Sequence, residues 1–230
     1  MNSDSPDIGH RSARPTRLLT VFAILTMVTG LIDAISYLGL GRVFTANMTG
    51  NVLIMAFALV GATGFSVSAS MLSLVAFAAG AVAAGRLELV LRRRPRHQWL
   101  RTCLVVEALL LGAAAVVAFT ASSGIRYPLI ALTAVAMGMR NGTVRKLAVA
   151  DMTTTVLTLT VTGLAFDSTL AGGTNTRAPR RIIAIVAMLL GATLGGWLVL
   201  QHDLGWPLLI SALSVAATAA AVRPGMGDEK

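Results

Sequence analysis

The sequence predicts an all-α, polytopic membrane helical bundle of about six spans plus two short or broken helices, built from two repeated halves. Three observations carry this expectation. The 230 residues are 55% hydrophobic and 13% charged, with a mean hydropathy of +0.76, beyond the range of a soluble domain. Apolar runs lie at about 18–40, 48–63, 66–91, 101–121, 127–140, 147–170, 182–200 and 205–222, several near the ~20 residues needed to cross hydrocarbon. Two pairs of these segments match one another in order, as a duplication requires.

A closed barrel would need alternating strands, and these Ala-, Leu- and Gly-rich runs do not alternate. Residues 1–15 and 223–230 are polar and are expected to be tails, the first disordered and cytoplasmic. The membrane domain is expected over 16–222, with halves at about 16–91 and 101–222 and a basic linker at 92–100. The run at 18–40 is preceded by Arg14 and Arg17 like a signal peptide, yet Asp33 interrupts it and no small-residue cleavage site follows. It is read as a retained first helix. Its Thr26, Thr29, Asp33, Ser36 and Tyr37 recur every three or four residues and form one polar stripe, which must face protein or water. Hydroxyls in such a stripe mostly bond between helices. For Asp33 two roles stand: pairing with a base, Arg42, Arg140 or Arg145, or binding a proton or cation.

After the first helix, "GLGRVFTANMTGN" at 39–51 combines three glycines with Asn47, Thr49 and Asn51, a composition for a broken helix and an N-cap near Asn47. This stretch begins the repeat. "RVFTANMTGNVL" at 42–53 lies without gaps on "KLAVADMTTTVL" at 146–157, pairing Arg42 with Lys146 and Asn47 with Asp151. "LVAFAAGAVAAGRLEL" at 74–89 lies on "IVAMLLGATLGGWLVL" at 185–200, with Gly80 over Gly191 and Gly85 over Gly196. A weaker match sets "TGLIDA" at 29–34 on "MGMRNG" at 137–142, superposing Asp33 on Asn141. In the second half Asp151 is a second candidate cap, and Asp151, Thr155, Thr158 and Thr162 share a helical face, with Thr154 in the first turn.

Three basic clusters, around Arg14, around Arg93 and around Arg180, can share one side only if each half crosses an odd number of times. Six crossings with an inverted second half follow, the stretches at about 48–63 and 150–168 being re-entrant or strongly tilted. An eight-span parallel duplication remains open. "GMRNGTVRKLAVADM" at 138–152 places Arg140, Arg145 and Lys146 between two apolar segments, as a solvated vestibule or as simple positive-inside anchoring. Glu107, about two turns inside the fourth helix, is expected to pair with a neighbouring helix, and Gly191 and Gly195 to pack helices closely.

The charge of +9 gathers at helix ends rather than on a groove, so no nucleic-acid partner is expected. Cys103 alone cannot form an intramolecular disulfide. His10, His97 and His202 lie in tail or interfacial segments, and no HExxH, P-loop or nucleophile elbow occurs, so neither enzyme, metal nor cofactor is expected. "TGLIDAISYLGLGRVFTANMTGN" with "RNGTVRKLAVADMTTTVLTLTVTGLAFDS" resembles the YoaK-like family of bacterial multi-pass inner-membrane proteins, over about 18–222. The resemblance implies about six spans in the bacterial inner membrane and supplies no functional residues. Ala150 stands where proline is expected in many relatives.

The expected activity is secondary transport of a small solute or ion through a polar site between the halves. Asp33, Asn47, Thr49, Asn51, Arg140, Asn141, Asp151, Thr154 and Thr155 are the candidate binding residues, supported by Arg42, Tyr37, Glu107, Arg145 and Lys146. The alternative is a non-transporting scaffold that recruits a partner. Expected partners are the bilayer, the unidentified solute or ion, and a second copy of the chain in a homo-oligomer.

Overall fold

Long runs of Leu, Ala, Val and Gly without strand alternation satisfy their backbone polar groups only as helices when water is excluded. The computed structural model describes residues 13–121, 123–147 and 157–224, with side chains from Leu19 onward, and these residues are helical throughout apart from short connections. The order is α1 (Ala13–Gly39), α2 (Met48–Leu59), α3 (Val67–Leu91), α4 (Arg96–Thr120), α5 (Arg126–Leu147), α6 (Leu157–Phe166), α7 (Ala178–Gln201) and α8 (Gly205–Ala221), with one 3₁₀ turn at Thr169–Ala171.

Chain directions follow from named contacts. Arg126, at the start of α5, donates to the carbonyls of Leu40 and Gly41 at the end of α1, at 2.8 and 3.3 Å. Further along α5, Arg140 donates to the carbonyl of Leu25, midway along α1, at 2.8 Å. These two helices are therefore antiparallel. On α3 and α5, Gly138 abuts Phe77 while Gly142 abuts Ala84, so α3 runs parallel to α5 and opposite to α1. The helix between them cannot cross: α2 has 12 residues, about 18 Å against ~30 Å of hydrocarbon. In the second half α7 runs parallel to α1, with Gly191 against Met27 and Gly195 against Leu31. Phe119 near the end of α4 meets Trp206 near the start of α8 edge-on, with ring centroids 5.5 Å apart, so these two are antiparallel.

Six helices cross, α1, α3, α4, α5, α7 and α8, and the second three run opposite to the first. The repeat is inverted. Leu19–Gly39, Val67–Leu91, Arg96–Thr120 and Ala178–Gln201 are each long and apolar enough to span by themselves. α5 falls short in hydropathy because its C-terminal half carries Arg140, Asn141, Arg145 and Lys146, and α8 has 17 residues, the short end of the spanning range.

The two-fold relation is exact in its glycines. A Cβ on Gly138 would strike the Phe77 carbonyl and one on Gly80 the Val135 carbonyl, locking α3 to α5. Gly30 and Gly191 do the same to the carbonyls of Met188 and Met27, locking α1 to α7. Under the sequence superposition Gly30 falls on Gly138, Gly80 on Gly191 and Phe77 on Met188, so the two seams are one seam built twice. Gly85 and Gly196, the other matched pair, have no comparable role: nothing lies within 4 Å of a Cβ on Gly85, and the first neighbour on Gly196 is Leu38 at 3.5 Å.

Three boundaries differ from expectation. α4 begins at Arg96 rather than 101, because Pro95 is a natural helix start and the Arg–His–Gln stretch after it continues the helix, leaving 92–95 as the turn. α5 continues seven residues past Arg140, whose burial is compensated by partners described below. α2 ends at Leu59 rather than 63, where Gly61 at φ 83° allows the chain to turn and Ala62 donates to the Phe57 carbonyl at 3.0 Å. Asp151, Thr154 and Thr155, with Ala150, lie outside the described residues.

Candidate polar site at the break after the first helix

Between α1 and α2 the chain must stop being helical within a span and still satisfy its backbone. Gly41 at φ 85° and Arg42 at φ 58° turn it, both in the left-handed region, where Arg42 is strained by its Cβ. The following residues 43–47 run extended or bent, and three side chains clamp them. Asn51 accepts from the Phe44 amide at 2.9 Å and donates Nδ2–H to the Phe44 carbonyl at 2.6 Å, replacing a backbone partner on both sides. Ser73 of α3 donates to the same carbonyl at 2.7 Å and accepts from Asn51 at 3.1 Å. Asp33 Oδ1 accepts from the Ala46 amide at 3.0 Å, and the amides of Thr45 and Asn47 also face that carboxylate. Tyr37 stacks on Phe44 at 4.9 Å between centroids.

The partner of Asp33 is therefore the broken backbone ahead of α2. No ion pair joins it to Arg42, Arg140 or Arg145 among the described residues. Several N–H groups just ahead of α2 thus converge on one carboxylate. Asn47 caps α2 as its position suggests, its Oδ1 accepting from the Gly50 amide at 3.2 Å. Asn47 and Thr49 are exposed on the first turn, whereas Asn51 is wholly buried.

Arg140 builds a second polar centre. It is 1% exposed and ion-paired with Glu107 of α4, also 1% exposed, while its Nη1 donates to the Leu25 carbonyl at 2.8 Å and to Thr29 Oγ1 at 3.0 Å. One guanidinium thus ties α1, α4 and α5 together. Its Nε has no partner. Asn141 is half-buried and donates to the Met137 carbonyl at 2.8 Å, one of its interactions. Arg42 lies over the Phe65 ring, 5.7 Å from the centroid. Arg145 is exposed, and Lys146 pairs with Glu88 of α3 at 2.7 Å. These three cations sit at the two faces, away from Asp33.

The polar stripe of α1 faces protein, as its spacing requires: Thr26, Thr29, Asp33 and Ser36 are all buried. Its hydroxyls bond mostly to their own helix, Thr26 to Phe22 at 2.8 Å, Thr29 to Leu25 at 2.9 Å and Ser36 to Asp33 at 3.1 Å. Sequence reasoning missed Ser73 and Arg126. Ser66, Ser70 and Ser73 at spacings of four and three on an apolar helix were the available signal for the first; Arg126 was masked by its place at an interfacial helix start. Thr45 and Ser70 are wholly buried, each with a hydroxyl lacking a partner.

Larger open spaces lie elsewhere. A groove of about 700 Å³ runs between α1 and α8 at the basic end, lined by Thr20, Ile24, Met27, Ser214 and Thr218, with Arg223 at its edge. A pocket of about 280 Å³ lies where α3 ends and α4 begins.

Comparison with known proteins accords with this architecture. Residues 21–221 match the family model described as "Protein of unknown function (DUF1275)". The "UPF0700 transmembrane protein YoaK" of Bacillus subtilis (strain 168) is 32% identical over 151 residues, which cover 64% of this chain and 66%, just under two thirds, of that relative. No solved structure matches the chain. The span of the family match, with the relative's likeness, makes this multi-pass membrane protein a member of the DUF1275, YoaK-like family.

Proposed function

We propose that the protein is a secondary transporter of a small solute or ion in the bacterial inner membrane, acting without catalytic chemistry. The observation that carries this reading is the inverted repeat with a chain break after α1 whose amides Asp33 holds, since transporters of that plan place their sites where broken helices meet the repeat interface. The face bearing Arg93, Lys146 and Arg180 would be cytoplasmic by the positive-inside rule. In this reading the groove between α1 and α8 is the open side of an exchange. Its two-fold mate, the seam between α4 and α5 at the other face, is filled, with Leu129 and Ile130 wholly buried. Closing one seam while opening the other would carry solute past the amides that Asp33 now holds.

Flux of a panel of small solutes and cations into proteoliposomes tests this. Uptake should appear for one class and collapse for Asp33→Asn, whose melting temperature in detergent stays close to that of the parent because the amide oxygen still accepts from Ala46. A second reading, a scaffold that recruits a partner, is favoured by one specific observation: Asn51, Glu107 and Arg140 are sealed and bonded to protein. A scaffold would give no flux for any solute, and Asp33→Asn would change only stability.

A further inference from the structure

The pocket at the α3–α4 turn combines features that neither the repeat nor the break explains. Its wall carries Arg92, Arg94, Arg96 and Lys146 against a single acid, Glu88, and that acid is already paired with Lys146. Arg96 Nη2 donates to the Lys146 carbonyl at 2.6 Å, fixing the end of α5 to the start of α4 and holding the pocket in shape. Three guanidinium groups therefore face about 280 Å³ of space with no carboxylate to balance them. The inner wall is apolar and closed. Trp99, which also lines the pocket, is 4% exposed, and its indole N–H has no hydrogen-bond partner.

The position decides what the ligand is. Immediately before the pocket α3 exposes Leu89 and Val90, at 64% and 77%, on a helix that crosses the bilayer, so the mouth opens at the level where lipid headgroups begin. Basic pockets between helix ends at this depth suit phosphate headgroups, with arginine forks matching phosphate oxygens. We propose that this pocket binds the phosphate of an anionic phospholipid, with Arg92 and Arg94 supplying the charge and the acyl chains running along the exposed apolar surface of α3.

The test uses the full chain, delipidated in neutral detergent, with phosphatidylglycerol, phosphatidylcholine and inorganic phosphate as separate probes. Native mass spectrometry and thermal shift are read for the parent, for the Arg92→Gln/Arg94→Gln double variant and for Trp99→Phe. Phosphatidylglycerol should be retained and should raise the melting temperature well above phosphatidylcholine. The double variant should weaken it by about tenfold or more, as expected for losing charge-assisted bonds, with its lipid-free melting temperature unchanged because both arginines are exposed. Trp99→Phe, which keeps an aromatic wall and removes an indole nitrogen sealed from the pocket, should retain the lipid as the parent does. Equal retention of both lipids, or equal retention of phosphatidylglycerol by parent and double variant, would overturn the proposal. A shift produced as strongly by inorganic phosphate would overturn the lipid source and leave a soluble anion site.

Discussion

At the scale of single residues, the buried charges are decided by what they can reach. Glu107 and Arg140 are each 1% exposed, so neither has water to fall back on, and each is tolerable only through the other and through the Leu25 and Thr29 oxygens. Removing one partner leaves an uncompensated charge, worth about 3–5 kcal/mol, whereas replacing both by apolar groups of similar volume is often close to neutral. Thermal unfolding in detergent should therefore show Arg140→Met and Glu107→Leu each strongly destabilised and the double variant restored most of the way. Additive losses would mean that the pair is not a unit. The pairing of Glu107 with a neighbouring helix was legible in the sequence, because a carboxylate two turns inside a span has few alternatives. That Asp33 instead takes backbone amides was not legible. The amides that donate to it are presented by the break at Gly41 and Arg42, and hydrogen bonds from a main chain leave no mark on residue identity.

At the scale of elements, helix seams in a bilayer are set by close packing of small residues, since lipid tails are as apolar as the helices. Gly30, Gly80, Gly138 and Gly191 stand where a Cβ would strike a facing carbonyl, and backbone cannot step aside as a flexible side chain can. Alanine at any of the four should destabilise by about 1–3 kcal/mol, the range for overpacking a tight interior. Because the seams are two-fold mates, Gly30→Ala and Gly138→Ala should cost alike. Gly85→Ala meets open space and replaces a helical glycine, so it should be neutral or stabilising by up to about 1 kcal/mol. Parallel melting curves of the five variants would check the set, and a severe loss at Gly85 would break the argument. The glycine matches were readable in the sequence even where the weakest of them, 29–34 on 137–142, rested on few identities. Which glycines pack was not readable, because Gly80 and Gly85 look alike until the register of α3 on α5 is known.

At the scale of the whole molecule, inverted and parallel duplications have the same sequence matches and differ only in whether α2 and α6 cross. The long-range contacts choose between them: α3 shares its direction with α5, and α5 opposes α1, so α2 must return to the face it left. Most of the positive charge then falls at one face, with Arg92, Arg93 and Arg94 after α3, Arg145 and Lys146 at the end of α5, and Arg177 and Arg180 at the start of α7. Single cysteines placed at Arg93, Thr174, Ala62 and Gly124, with Cys103 replaced by alanine, turn this into a measurement. In intact cells a membrane-impermeant thiol reagent should modify the positions at Ala62 and Gly124 and spare those at Arg93 and Thr174 until the membrane is opened. In an eight-span parallel arrangement Arg93 and Thr174 would lie on opposite sides, and Ala62 would join Thr174. Labelling of Arg93→Cys from outside, with Thr174→Cys protected, would therefore sink the inverted repeat and the transport reading that rests on it.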